Sequence, residues 1–462
     1  MINNRFNLLL FVLLLIPIKL QAQHFEKADS LQKGAYGAAA WGDFDNDGRK
    51  DIAYIAQANT QHDSDIFTIY KNTPGGFIAA ASFPMLHTPA LVWGDLNNDG
   101  FQDLIASGLN LNSGEPELNI YISHGDGTFD VIDTLPGLST GSIAIADFDG
   151  NGFQDFVVSG YNSAFNNQVL LFKNEGNLNF TSVNQSFEAL PAGEIKWCDF
   201  NNDGLPDLSL TGDGTFSRTY LYKNIGSGQF TLTNNYFFGG RGTIDWVDFN
   251  NDGWDDLFVS GVDSTSAANY TIIYFNNGDE TFTETQTNFP VFGEPSAADV
   301  ADFDQDGIPD VFIAGVNELF LEHFSTLATT NTDSSFVLSQ PIHADIMNCI
   351  VEAVDFDNDG DMDLLVSNII WRNEGNPLGL ENAKQELVQI YPNPAGMYLM
   401  VTVPAGESVV RLLDATGKQV LRSVMTEGVN TIQTAQLMQG QYQVVIIHEQ
   451  FIRTEKMTIV HE

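Results

Sequence analysis

Cysteine and basic side chains are what this chain has least of. Its 462 residues hold two cysteines, and 19 Lys and Arg stand against 60 Asp and Glu, a formal net charge of −41. Two cysteines exclude a disulfide-stapled scaffold, and Cys198 and Cys349 read as small buried apolar residues in strands of distant repeats. So large an excess of negative charge excludes nucleic acid and anionic membrane surfaces as partners, because both repel it. Histidine is scarce and scattered (His24, His62, His87, His124, His323, His343, His448, His461), with no pair at metal-ligand spacing. Gly-x-Ser-x-Gly, phosphate-loop and HExxH motifs are missing. The acidic residues do not form blocks, so they are not a disordered tail, and 43% hydrophobic with 11% aromatic residues suits a folded chain.

Long apolar runs are also lacking beyond the N-terminus. Arg5, the run Leu8–Ile18 and Leu20-Gln21-Ala22 read as a secretory signal over 1–22, cleaved before Gln23. The alternative, a membrane anchor, needs roughly 20 apolar residues and this run is shorter. The expected mature chain is secreted or held on the outer cell surface, with no transmembrane segment.

What the chain has in abundance is one acidic pattern, Asp-x-(Asp/Asn)-x-(Asp/Asn)-Gly-x-x-Asp, in seven copies starting 49 to 54 residues apart. Position 1 is Asp43, Asp95, Asp147, Asp199, Asp248, Asp302 and Asp355. Position 3 is Asp45, Asn97, Asp149, Asn201, Asn250, Asp304 and Asp357, and position 5 is Asp47, Asp99, Asn151, Asp203, Asp252, Asp306 and Asp359. Position 9 is Asp51, Asp103, Asp155, Asp207, Asp256, Asp310 and Asp363. These four positions hold 24 of the 60 acidic side chains. Alternate residues of a tight loop converge on one point, and glycine at position 6 permits the positive φ of the reversal. The carbonyl at position 7 (Arg49, Phe101, Phe153, Leu205, Trp254, Ile308, Asp361) would complete a shell of six or seven hard oxygens suited to calcium. An EF-hand begins alike but closes with Glu at position 12, where the first copy has Tyr54. Isolated acidic turns would look similar singly; seven copies in one register point to as many as seven structural calcium ions. Repeats one, six and seven carry four carboxylates and are expected to bind most tightly. Chelation is expected to cause a large fall in stability.

A repeat of this length implies a propeller or solenoid. In repeat three, Ser142–Ala146, Phe156–Gly160, Gln168–Lys173 and Asn179–Val183 read as four short strands, one propeller blade. The third-strand turn recurs as Tyr70-Lys71-Asn72, Phe172-Lys173-Asn174, Tyr222-Lys223-Asn224 and Trp371-Arg372-Asn373. Repeat six lacks it: its third strand is placed at Leu319–Phe324, followed by an irregular Thr/Ser-rich loop. Repeat seven has three strands, and His24–Leu31 is expected to supply the fourth and close the ring, since a propeller leaves no free edge. The expectation is an all-β chain, a seven-bladed propeller over 23–376, a linker at 377–386 and a small β-sandwich over 387–462. In the last, Tyr398–Val403, Val409–Leu413, Asn430–Thr434 and Tyr442–Ile447 alternate apolar and polar residues, with turns at Thr416-Gly417-Lys418 and Gln439-Gly440.

The metal-loop stretches, such as Ile145-Ala146-Asp147-Phe148-Asp149-Gly150-Asn151-Gly152-Phe153-Gln154-Asp155-Phe156-Val157-Val158, resemble the FG-GAP repeats of integrin α-subunits and the VCBS repeats of secreted bacterial proteins. The resemblance covers about residues 24–376. It implies a seven-bladed propeller with calcium in the hairpin between first and second strands, and a binding or adhesion module for a glycan or protein. The C-terminal unit resembles the sorting domain of type IX secretion substrates through Tyr391-Pro392-Asn393-Pro394, Leu413-Asp414-Ala415-Thr416-Gly417-Lys418, Leu437-Met438-Gln439-Gly440-Gln441-Tyr442 and Lys456-Met457-Thr458-Ile459. That implies recognition by the type IX machinery and export across a Gram-negative outer membrane.

A ligand would meet the face opposite the calcium hairpins, where the loops hold Tyr161, Phe165, Phe216, Arg218, Phe238, Arg241, His87, His343 and Phe292. Phe216→Ala or Arg241→Ala would then reduce binding; the bland alternative is that these rings pack between blades. No catalytic residue is assigned. A polysaccharide lyase or hydrolase on a propeller scaffold, or a purely structural surface protein, remains the alternative.

Overall fold

The computed structural model describes residues 25–57, 66–188, 190, 193–212, 218–235, 237–263, 268–285, 292–317, 322–330, 336–338, 350–374, 389–391, 398–403, 408–414, 418–426, 428–448 and 451–460. Strands and loops account for all of them. In repeat three the short alternating and apolar runs become Ile143–Ala146, Asp155–Tyr161, Asn167–Asn174 and Phe180–Val183, paired antiparallel in that order. The second strand is buried on both faces, which is why it reads as a continuous apolar run. Among the described residues, 25–373 form seven such four-stranded sheets, repeat four adding a short fifth strand, Phe237–Phe238.

The first strands Ala35–Gly42, His87–Gly94, Ile143–Ala146, Ile195–Cys198, Ile244–Val247, Phe292–Ala301 and Val351–Val354 touch their successors, and the last touches the first. Hydrophobic cores lie between neighbouring sheets. Phe44, Ile55, Phe67 and Trp93 pack with Leu104 and Tyr121 between repeats one and two, and Tyr54 and Ile52 pack with Phe356, Leu365 and Ile370 between repeats one and seven. The architecture is all-β and propeller-like. As expected, Phe25–Ser30 supplies the fourth strand of repeat seven, pairing antiparallel with Ile369–Asn373.

Repeat six corrects one expectation. Its third strand is described over Glu322–Thr330, running past Phe324 into the Thr/Ser-rich stretch, and its fourth is Phe336–Leu338. The Thr/Ser-rich stretch read as loop is strand because Ser325, Thr326, Leu327 and Ala328 are buried between its neighbours. Residues 331–335 lie outside the described residues, as do the signal segment, the linker 377–386, Cys349, His62, His343 and Phe216. Cys198 ends a first strand, buried, as its apolar reading required.

The C-terminal unit pairs Gln389–Tyr391, Tyr398–Val403 and Gly428–Gln433 in one sheet, and Gln419–Met425, Ser408–Asp414, Gly440–His448 and Phe451–Ile459 in another. Leu399, Val401, Val410, Leu412, Val444 and Ile446 share a core between them. Gln389–Tyr391, Gln419–Met425 and Phe451–Ile459 are strands that the alternating pattern does not mark. Gln419–Met425 leaves Val420 and Val424 exposed at an edge, and Phe451–Ile459 carries three charges, so neither shows a clean alternation.

Candidate metal centres and the axial cluster

Each acidic pattern folds into a preformed loop. The position-1 carboxylate accepts the position-5 N–H on Oδ1 at 3.0–3.2 Å and the glycine N–H on Oδ2 at 2.7–3.1 Å, in all seven copies. The position-6 glycines have φ between 83° and 93°, as expected. Position 4 is left-handed too, at 54–73°, which explains its Asn, Gly or Gln. Carboxylate oxygens converge within 4.8 Å at Asp43, Asp45 and Asp51; at Asp147, Asp149 and Asp155; at Asp302, Asp304 and Asp306; and at Asp355, Asp357 and Asp359. Asp45 Oδ1, Asp357 Oδ1 and Asp207 Oδ2 are buried without a hydrogen-bond donor. An all-oxygen cage with orphaned buried acceptors fits a hard divalent cation.

The position-9 aspartates have a second job that spacing alone could not show. All seven are fully buried. Their Oδ1 accepts the backbone N–H of Asn72, Ser123, Asn174, Asn224, Asn276, Thr330 or Asn373 at 2.6–2.9 Å, at the end of the third strand. In six repeats their Oδ2 accepts the N–H of the position-2 residue at 3.0–3.2 Å. Burial above all, with the other loop carboxylates, pushes Asp103 up to about 6, Asp51, Asp155, Asp207 and Asp256 to about 7, and Asp310 and Asp363 to about 8. The backbone donors offset part of this.

The third-strand Asn then reaches the neighbouring sheet. Asn72, Asn174, Asn224, Asn276 and Asn373, with Ser123 in repeat two, donate from their side chains to the carbonyls of Phe356, Leu96, Phe148, Phe200, Phe303 and Phe44, at 2.7–3.1 Å. The loops are also chained directly. Asn46, Asn98, Asn202, Gln305 and Asn358 donate to the carbonyls of Gly100, Gly152, Gly253, Gly360 and Gly48 in the next loop, at 2.5–3.1 Å. The recurring Asn after Lys was legible as a turn; its partner in another repeat was not.

A second cluster lies outside the acidic loops. The residue three before each loop is Ala40, Val92, Ala144, Lys196, Asp245, Asp299 and Glu352, one layer of adjacent first strands. Lys196 Nζ lies 3.5 Å from Glu194 Oε1 and 4.0 Å from Asp245 Oδ1. Glu194 Oε2 accepts the Ile244 N–H at 2.9 Å, and Asp299 Oδ2 the Ala353 N–H at 2.6 Å. The Glu194 and Asp245 charges hold the Lys196 ammonium well above its ordinary range. Burial first, then the neighbouring carboxylates, pushes Asp299 and Glu352 up. The native pair therefore keeps protons that an unfolded chain loses above about pH 4, so this cluster's contribution to stability falls as pH rises. Glu352→Gln is expected to be more stable than the parent at pH 8.5 by about 1–2 kcal/mol, with the gap closing toward pH 5. A variant less stable at pH 8.5 in thermal melts would refute this.

The expected ligand face is only partly assembled. Phe165 is 84% exposed in the turn between second and third strands of repeat three, next to Tyr161, which ends the second strand half-buried. Phe238 is 41% exposed, opposite Arg218 in register and 6.0 Å from the Tyr270 ring; Arg241 is exposed nearby. Arg218 opens a third strand rather than lying in a loop. His87 is a correction: it begins a first strand, is buried, and its Nδ1 lies 3.5 Å from Gln57 Nε2, because the strand starts earlier than its alternating pattern indicated. Phe292 begins the first strand of repeat six.

FG-GAP-like repeats match residues 43–106, 95–158, 147–208, 199–259 and 248–313, an unbroken stretch longer than half the chain. A secretion system C-terminal sorting domain matches residues 389–460. No curated protein matches the sequence. Solved structures with similarity include PorZ, a surface component of the type-IX secretion system of Porphyromonas gingivalis, at 13% identity and a TM-score of 0.32, covering 93% of this chain and 71% of that one. The V. cholerae biofilm matrix protein Bap1 shows 15% identity and a TM-score of 0.31, over 81% and 66%. AofleA from Arthrobotrys oligospora shows 10% and 0.40, over 70% and 90%. No helix among the described residues is long and apolar enough to cross a membrane.

Proposed function

Because the chain belongs to the FG-GAP-like repeat family, we propose that it is a calcium-loaded, seven-bladed propeller acting as a surface or extracellular binding module. Its sorting domain would be read by a type IX secretion system. Three buried carboxylate oxygens without donors, Asp45 Oδ1, Asp357 Oδ1 and Asp207 Oδ2, carry the calcium reading. Each lies in a loop whose ligand positions are filled by Asp and Asn, the oxygen donor set of a hard cation. Positions 1, 3, 5 and 9 and the position-7 carbonyl would hold the ion, and its role would be to fix the hairpins. The blade number is supported by the bonds Asn72 to Phe356 and Asn358 to Gly48, which join the last repeat to the first.

The binding role is supported by two exposed rings at sheet ends away from the acidic loops, Phe165 in repeat three and Phe238, which is opposite Arg218 and three residues before the exposed Arg241. Aromatic faces flanked by polar groups suit a glycan or an extended peptide. The test is the secreted chain on glycan and matrix-protein arrays, with calcium and with chelator. Saturable calcium-dependent binding, weakened about tenfold or more by Phe165→Ala or Arg241→Ala, is expected, since buried aromatic and Arg anchors dominate binding energy. Full binding by both variants would move the site elsewhere, and silence on every array would remove the binding role.

A further inference from the structure

We propose that Lys71, Lys173 and Arg372 are positioning residues for the metal ligand at position 3 of repeats one, three and seven. The proposal deepens the calcium reading and rests on it. Each cation stands one residue before the third-strand Asn, on the strand that packs beside the loop. Lys71 Nζ bonds Asp45 Oδ2 and lies 3.2 Å from Asp47 Oδ2. Lys173 Nζ is 2.9 Å from Asp149 Oδ2, and Arg372 Nε donates to Asp357 Oδ2 at 2.5 Å. In all three repeats the cation holds the same oxygen. In two of them the other oxygen, Asp45 Oδ1 or Asp357 Oδ1, is buried without a donor.

The pairing follows the carboxylate. Where position 3 is Asn97 or Asn250, the equivalent strand residue is Ile122 or Phe275. Where it is Asn201 the strand residue is Lys223, but that lysine turns away to Glu280, 2.6 Å off. Repeat six has Asp304 with Thr329 and stands outside the rule. A surface device for solubility would not track the loop in this way.

The physical effect is orientation. The terminal torsion of an aspartate is broad, so a free carboxylate spreads its lone pairs over many directions. A charge-assisted hydrogen bond on Oδ2 fixes the carboxylate plane and leaves Oδ1 to the metal. Partners of this kind are typically worth 10- to 100-fold in metal affinity. The cation also repels a divalent ion. That repulsion is screened, because 31%, 28% and 39% of the Lys71, Lys173 and Arg372 side chains remain open to water. Asp45, Asp149 and Asp357 themselves are only 8%, 13% and 23% exposed, so their orientation is fixed from inside.

The test is calcium titration of the full chain by calorimetry, with bound metal counted by native mass spectrometry. The triple variant Lys71→Met, Lys173→Met, Arg372→Met is expected to lose tenfold or more in affinity at three sites and little at the others. Lys71→Arg, which keeps a donor, is expected to hold its site within about threefold of the parent. Lys223→Met removes the same charge from the same strand position and is expected to change nothing. Melts in excess calcium check that each variant folds, and single Lys71→Met replaces the triple variant should that one fail to fold. Equal or tighter binding by the variants overturns the positioning role while leaving calcium binding in place. A parent chain that binds no calcium overturns both, and the two failures are thus distinct.

Discussion

Chelation is expected to lower the melting temperature of the repeat region by ~10 °C or more, at about 1–2 °C per kcal/mol for a unit of this size. A site held at a hundredfold excess over its Kd stabilises by about 2.7 kcal/mol, and two or three such sites already rival the ~5–15 kcal/mol of an ordinary domain. Each apo loop would also keep several carboxylates close together, and like charges a few ångströms apart repel strongly. The sign of the pH effect follows from the position-9 aspartates, whose carboxyls burial raises to about 6–8. Without metal the native state would retain protons that the unfolded chain has lost, so its stability falls as pH rises toward 8. The loss on chelation should accordingly be larger at pH 8 than at pH 6. The C-terminal sandwich, with none of these loops, is the internal control. Calorimetry in calcium and in chelator decides the matter: an unchanged repeat-region transition would take calcium out of the account.

Local features were legible and cross-repeat ones were not. The period, the four strands of repeat three and the positive φ of the position-6 glycines all follow from residues within one repeat. The closing strand Phe25–Ser30 was legible as well, because a ring with an unpaired edge is costly. By contrast, Asn276 reaching the Phe200 carbonyl joins residues 76 apart, and Asn72 reaching Phe356 joins residues 284 apart. Nothing in a turn signature such as Tyr-Lys-Asn names such a partner. Lys196 and its carboxylates were hidden for the same reason: each is one polar residue in a short strand, and only stacking seven first strands side by side makes a layer of them. Repeat six failed on local grounds. Thr and Ser favour strands as readily as turns, and the Thr330 N–H, which bonds Asp310, took the place of the expected Asn.

Replacing a position-9 aspartate is expected to be far more damaging than replacing a position-3 aspartate, although both belong to the same proposed cage. Asp155 is fully buried; its Oδ2 accepts the Phe148 N–H at 3.1 Å and its Oδ1 the Asn174 N–H at 2.6 Å. Asn174 in turn donates to the Gln154 carbonyl at 3.1 Å and, in the preceding repeat, to the Leu96 carbonyl at 2.8 Å. One carboxylate thus ties the loop to the third strand, and through it to the adjoining sheet. Asp155→Ala strands two buried backbone donors at about 1–3 kcal/mol each and empties the space between them, for a total of about 4–6 kcal/mol. Asp149→Ala removes a proposed ligand and an ion pair with Lys173, but no buried backbone donor, and should cost no more than about 3 kcal/mol, the worth of one bound ion. The two are separable by mass action. Raising calcium refills a weakened site, so Asp149→Ala should recover much of its melting temperature in excess calcium while Asp155→Ala should not. Equal recovery by both would make Asp155 a ligand and nothing more. Failure of Asp155→Ala alone to recover would mean that the ninth residue of the pattern holds the sheets together whether or not its loop is filled.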